Sequence, residues 1–173
     1  ALASRTAEAT LAQTSQTALR RIARATRETT HLCVLRGGNV LTLISELSPH
    51  EFRTTGWEGI TTAAWRTPSG RVLISDWDEQ TIAEWYREHG QDDALLGPLD
   101  PGKANSDFRV LETPPPDKAV VTDLPSLMDE IARIRARGFA LLDEELEAGV
   151  VGASAPVRDF TGRVVAAINV SGP

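Results

Sequence analysis

A single cysteine and a single methionine stand among 173 residues, and aromatic side chains make up only 5%. One thiol cannot close an internal disulfide. Cys33, set in "HLCVL", is therefore expected as a buried, reduced thiol rather than a reactive one. A chain of this length can bury most of its apolar surface, so it needs neither disulfide nor metal to stay folded. No apolar run approaches the roughly 20 residues of a membrane-spanning helix, and nothing at the start has the order of a signal peptide. Positive charge is short too: 18 Lys and Arg face 24 Asp and Glu, a net charge of -6. Gripping nucleic acid takes a surplus of cations on one face, which counts against this chain binding DNA by itself. Arg20, Arg21, Arg24 and Arg27 are the local exception, and their helical spacing reads as a solvated helix face. These absences point to a cytoplasmic protein with no membrane partner.

Catalytic signatures are missing as well. His31, His50 and His89 lie far apart and make no HExxH or HxH pair, so no metal is expected. Ser69 stands beside Gly70 without a GxSxG elbow, and no Gly-rich phosphate loop precedes a helix, so no cofactor is expected either. The acidic run Asp143, Glu144, Glu145 and Glu147 in "LLDEELEAG" invites an acid–base reading. That work needs one carboxylate desolvated, with a raised pKa. Four acids crowded into five residues read better as solvated groups, or as groups holding a loop between two strands. The chain is read as a non-enzyme, with a small acid–base enzyme as the remote alternative.

What is present is a regular alternation of elements. Residues 4–29 carry Leu11, Leu19, Ile22 and Ala25 at helical spacing, a long leading helix. "HLCVLRGGNVLTLISEL" reads as a hairpin whose Gly37–Gly38 pair supplies positive φ angles. Residues 50–58 suit a further exposed strand. Pro68 opens a short helix. Asp78 caps a helix whose buried stripe is Ile82, Trp85 and Tyr86, ended by Gly90. Residues 91–121 form a long Pro-rich loop with at most one short extended piece. Asp123 caps another helix, with Leu127, Ile131 and Ile134 inward and Gly138 as its stop. A second hairpin turns on "DFTG", and the apolar run to Ile168 marks the last strand as central, covered on both faces. The fold expected is α+β, an antiparallel sheet flanked by helices. The tryptophans Trp57, Trp65, Trp77 and Trp85 are four of nine aromatics. Trp85 suits the helix core, while Trp57 and Trp65 suit either core packing or contact with an apolar ligand.

Two stretches carry a resemblance. "TGWEGITTAAWRTPSGRVLIS" (55–75) and "IARIRARGFALLDEELEAGVVGASAPVRDFTGRVVAAINVSGP" (131–173) strongly resemble the effector-binding domain of IclR-type bacterial transcription regulators. The second matches the family's "R-x-x-G-Y-x-x-D-D-E-E" and "S-x-S-G-P" pieces, and the order of elements extends the likeness over nearly the whole chain. The resemblance implies a GAF-like domain over residues 31–173, preceded by a linker helix over 1–30. It implies a small-molecule effector, a homodimer or tetramer, and promoter DNA contacted only through an N-terminal winged helix-turn-helix that lies outside this chain. The chain opens inside a helical pattern without methionine, as expected for part of a longer protein. A stand-alone GAF-type sensor is the alternative.

Family pocket positions carry over as Thr54, Trp65, Pro68, Ser69, Leu142, Gly152, Asn169 and Ser171. Thr54 rests on the loosest stretch of the match. Trp65 stands where relatives place histidine, Leu142 where an aspartate is common, Gly152 where a cysteine is found. Asn169 and Ser171 replace the paired serines. These departures imply a more apolar site, suited to an aromatic or otherwise larger acid or hydroxyl-bearing effector.

Overall fold

A computed structural model describes residues 2–50, 56–92, 95–98 and 111–173. The leading helix α1 runs over Leu2–Thr26 and the chain turns directly into strand β1 (Thr29–Arg36). Arg27 makes that turn with a left-handed φ of 63°. Strands β2 (Asn39–Glu46), β3 (Ile60–Ala63) and β4 (Leu95–Pro98) build outward on one side of β1. Strands β7 (Val164–Gly172), β6 (Val151–Arg158) and β5 (Ala140–Asp143) build outward on the other. The order β4-β3-β2-β1-β7-β6-β5 is antiparallel throughout. This is the α+β architecture with a long N-terminal helix that the sequence implies. The last strand is interior, as its apolar run requires.

Successive residues on a strand face opposite sides. On β1, Leu32 and Val34 face one side and join Leu19 of α1 and Ala166 in a small core. Cys33 faces the other side and joins the main core beneath the remaining helices. The buried side of α1 is Leu19 and Ala23, with Leu11 and Ile22 half-buried and Ala25 exposed, so the stripe sits slightly off the expected one.

The main core is closed by helices α2 (Pro68–Leu73), α3 (Glu79–His89) and α4 (Leu124–Arg137). Each end signal has a local cause. Asp78 accepts from the Thr81 amide, and Asp123 closes a capping box with Ser126. Gly138 ends α4 at φ 86°, in the left-handed region. Gly90 ends α3 differently, at φ −68°; a Cβ there would lie 2.7 Å from the Tyr86 ring. In the first hairpin only Gly37 takes a positive φ. Gly38 is required for space instead, since a Cβ would stand 2.2 Å from the His89 ring. The expected strand over 50–58 falls largely outside the described residues, and of the long loop 91–121 the described part includes β4 against β3. No helix among the described residues is long and apolar enough to cross a membrane.

Candidate functional site

The main-core face of the sheet is not filled by helix along its whole length. At one end three rungs of paired residues form an open floor. Cys33 pairs with Thr42. His31 pairs with Asn169, which pairs with Ser154. Ser171 pairs with Gly152, which pairs with Leu142. Small and hydroxylic side chains keep this floor low, and a pocket of about 610 Å³, its open mouth included, lies above it. Thr67, Pro68 and Ser69 at the start of α2 make one wall, and Leu146, Glu147 and Val150 from the β5–β6 loop make another. Val40, Thr62 and Trp57 complete the lining. The surface is mainly apolar with a few convergent polar groups, the usual make-up of a small-molecule site.

Helix α2 is short, and its start is fixed by sequence. Thr67 accepts from the Gly70 amide through its hydroxyl, and Pro68 takes the first helical position, where its missing N–H costs nothing. Gly70 is forced by its neighbours: a Cβ would sit 1.9 Å from the Ala64 carbonyl oxygen. The tight turn over Ala64–Arg66 can therefore press against α2, which holds Ser69 over the floor.

A hydroxyl relay connects helix and floor. Ser69 Oγ lies 2.9 Å from Ser154 Oγ, and the Ser154 hydroxyl donates to Asn169 Oδ1 at 2.9 Å. A hydroxyl carries one proton, so Ser69 is the donor to Ser154. The His31 ring lies between two more hydroxyls, with Nδ1 2.7 Å from Ser45 Oγ and Nε2 3.3 Å from Ser171 Oγ. Cys33 Sγ rests 3.8 Å from Thr42 Oγ1, and burial pushes its thiol pKa up against the opposing hydrogen bonds of Ser69 and Thr42. The thiol is thus held protonated, as a small apolar lining group.

The acidic run divides its labour. Glu145 is bidentate to Arg71, with Nη2–Oε1 at 2.6 Å and Nη1–Oε2 at 2.9 Å, both side chains buried. Glu145 also accepts from the Val121 amide, while Arg71 Nε donates to the Trp65 carbonyl. Glu144 accepts from the Gly149 amide and lies 3.2 Å from Lys118 Nζ; the first contact is the larger cause of its lowered pKa. Asp143 accepts from Lys118 at 2.6 Å and is exposed. Glu147 is buried against the pocket. Three of the four acids hold the loop, and the fourth belongs to the pocket wall.

Six of the eight residues singled out in the sequence come together here: Pro68, Ser69, Leu142, Gly152, Asn169 and Ser171 all line the pocket. Thr54 lies outside the described residues. Trp65 does not line the pocket. It is buried in the main core, edge-on to Tyr86 with ring centroids 5.7 Å apart, and the Arg66 guanidinium stands 4.5 Å from its centroid. The turn over Ala64–Arg66 points it away from the floor that Thr67–Ser69 face. Sequence reading passed over His31, Cys33, Val40, Thr42, Thr62, Thr67, Leu146, Glu147 and Val150 as pocket residues. The strand residues share one signal, odd–even alternation, with His31 and Cys33 opposite in sense to Leu32 and Val34. Among the described residues no cluster of His, Cys, Asp or Glu is arranged to hold a metal ion.

Residues 93–173 match a family described as bacterial transcriptional regulator IclR, C-terminal. Over 164 residues the chain is 30% identical to the HTH-type transcriptional regulator BhcR of Paracoccus denitrificans, covering 94% of this chain and 50% of that protein. It is 26% identical over 162 residues to the Pca regulon regulatory protein of Pseudomonas putida, covering 93% and 48%. The chain thus spans about half the length of the curated relatives it matches. Among solved structures, the inducer-binding domain of PobR from Acinetobacter, a double mutant in complex with 3-hydroxybenzoic acid, superposes with a TM-score of 0.71 at 21% identity, over 92% of this chain and 81% of that one. The C-terminal domain of E. coli KdgR gives 0.69 at 20% identity, over 94% and 81%. At such identities the likeness is one of fold.

Proposed function

Because residues 93–173 match the C-terminal domain of IclR-type bacterial transcriptional regulators, we propose that this chain is the effector-binding and oligomerising half of a cytoplasmic, DNA-binding transcription regulator of that family. Its relatives are transcriptional regulators, and on this reading it binds and releases its ligand without turning it over. The observation that carries the reading is the pocket, a mainly apolar chamber with a few polar groups on its floor and walls. Effector binding acts on promoter affinity by favouring one arrangement of the paired DNA-binding domains over another.

The pocket chemistry supports a partly apolar effector, aromatic or of similar bulk, bearing a carboxylate or hydroxyl. Leu142, Leu146, Val150, Val40, Pro68 and Trp57 supply apolar walls. Asn169 Oδ1 is occupied by Ser154, which leaves the amide nitrogen of Asn169 as a donor toward the ligand. Ser171 sets its hydroxyl on the floor, 3.3 Å from His31 Nε2. Such donors decide selectivity, since a buried polar ligand atom left unpaired costs about 1–3 kcal/mol.

Titration of the chain with 3-hydroxybenzoate and with glyoxylate, followed by tryptophan fluorescence, tests this. A saturable response to the aromatic acid is expected, because Trp57 stands on the pocket wall. Tight glyoxylate binding with no response to aromatic acids would sink the effector class. Silence toward a broad set of small acids and alcohols would sink the sensor reading itself.

A further inference from the structure

A carboxamide has two ends that a ligand reads in opposite senses. Its oxygen accepts, its NH2 donates, and a half-turn about Cβ–Cγ exchanges them with almost no change of shape. Asn169 sets such a group in the pocket floor, where it is half-buried. Ser154 stands beside it on the neighbouring strand, its direct partner in the β6–β7 register. Ser154 is 1% exposed and does not line the pocket, so its hydroxyl serves its neighbours and not a ligand.

Two proton orders fit the same side-chain positions. In one, Ser69 donates to Ser154 and Ser154 donates to Asn169 Oδ1, each over 2.9 Å. The amide NH2 is then left for the pocket. In the other the amide is turned over: its NH2 donates to Ser154, and Ser154 donates to Ser69. The Ser69 proton then needs a different acceptor. Among the described residues the other side chain bonded to Ser69 is Cys33. Burial keeps Cys33 a thiol, and sulfur accepts hydrogen bonds weakly. The first order ends on an amide oxygen and the second on a thiol, so the first is favoured. His31, the partner of Asn169 on the β1 side, does not compete for the amide. Its ring nitrogens are taken up by the Ser45 and Ser171 hydroxyls.

Next to the amide the floor is bare. Gly152 has no Cβ, and one placed there would stand 3.6 Å from Asn169 Oδ1, so a ligand group has room beside the amide. We propose that Ser154 is a positioning residue: with Ser69 it locks the Asn169 amide so that the floor takes an acceptor oxygen of the effector, from a carboxylate or a carbonyl, and rejects a donor-only group such as an ammonium. The proposal rests on the effector-binding reading above and adds the element that enforces selectivity at that site. The lock works through the cost to the wrong ligand. An ammonium set against the NH2 brings donor against donor where water is scarce, and turning the amide to relieve them breaks the relay.

Calorimetry with 3-hydroxybenzoate and 3-hydroxybenzylamine, one phenol ring with an acceptor-only or a donor-only head group, tests the lock. The parent should prefer the acid by about tenfold or more. Ser154→Ala frees the amide to turn, so the amine should gain about tenfold while the acid changes by less than about threefold. Asn169→Asp puts an acceptor where the NH2 stood, at almost constant shape, and should reverse the preference. A parent that prefers the amine overturns the proposal. So does a Ser154→Ala variant that keeps the parent's ratio of affinities, including one that loses both ligands equally, since that marks a purely structural role. NMR of the ligand-free protein reads the lock independently. Nuclear Overhauser contacts from the Asn169 side-chain amide protons to the Ser154 Hβ protons should be weak in the parent. Strong ones mean that the amide donates to Ser154, and they overturn the proposal even if Ser154→Ala fails to fold. If neither probe binds, the effector class above fails, and the NMR result alone decides the lock.

Discussion

Arg71 and Glu145 are joined by two charge-assisted hydrogen bonds of 2.6 and 2.9 Å in a site where both side chains are almost wholly excluded from solvent. The pair fastens α2, which carries Pro68 and Ser69, to the loop that carries Leu146 and Glu147. Removing one partner leaves the other buried and unpaired, at a cost of about 3–5 kcal/mol. Glu145→Ala should lower the urea midpoint accordingly, and Arg71→Lys, which keeps the charge but loses the fork, should cost less. A change in unfolding free energy below about 1 kcal/mol for Glu145→Ala would show that the pair does not hold the pocket together.

Gly152 lies on the pocket floor, where a Cβ would meet Pro68 Cγ at 3.3 Å and Asn169 Oδ1 at 3.6 Å. Gly152→Cys, the residue the family resemblance places here, should shrink the pocket. Affinity for 3-hydroxybenzoate should fall about tenfold, equal to about 1.4 kcal/mol, with little change in thermal midpoint. Calorimetry on the two proteins checks it; equal affinities would place the ligand elsewhere.

Gly70 has no room for any side chain, since its Cβ would collide with the Ala64 carbonyl. Gly70→Ala must push the Ala64–Arg66 turn away from α2. Overpacking of this kind costs about 1–3 kcal/mol. The thermal midpoint should drop by several degrees, more than for Gly149→Ala, where nothing lies within 4 Å and only the positive φ resists.

The acid limb of stability should bear the mark of Glu144. The Gly149 amide, and then Lys118, hold its carboxyl below its usual pKa of 4.5. A group whose pKa is depressed by folding contributes stability above the unfolded value and loses it as pH falls through the folded value. Between about pH 5 and pH 3 the parent should therefore lose more stability than Glu144→Gln. Parallel pH–stability curves for the two proteins would contradict the assignment. Lys118 works in the reverse sense: Asp143 first, then Glu144, raise its pKa, so its contribution persists up to alkaline pH and fades as pH rises through the raised value.

The helices were legible because their ends are written locally. Asp78, Asp123, Pro68 and Gly138 act on amides and dihedrals within a few residues, so no distant partner is needed to read them. The hairpin at Asp159–Gly162 is similar: Asp159 accepts from Thr161 and Arg163 within its own turn. Trp65 was the misplaced residue. Its position beside the α2 start suggested the pocket, but a single turn separates facing the floor from facing Tyr86, and sequence spacing does not resolve that rotation. Gly38 was read for its φ, whereas the space it leaves belongs to His89, fifty-one residues on.

By itself the sequence determined the element order, the caps and a family resemblance whose carried-over positions include six residues of one pocket, since these depend on local backbone preferences and on motifs that survive as strings. Only the tertiary structure decided which face of each strand the pocket takes, that His31, Cys33 and Glu147 belong to it, and that Glu145 is half of a buried ion pair rather than a solvated acid. Burial and partnership are properties of the whole packed chain. Arg71 and Glu145 are seventy-four residues apart, and nothing local to either one announces the other.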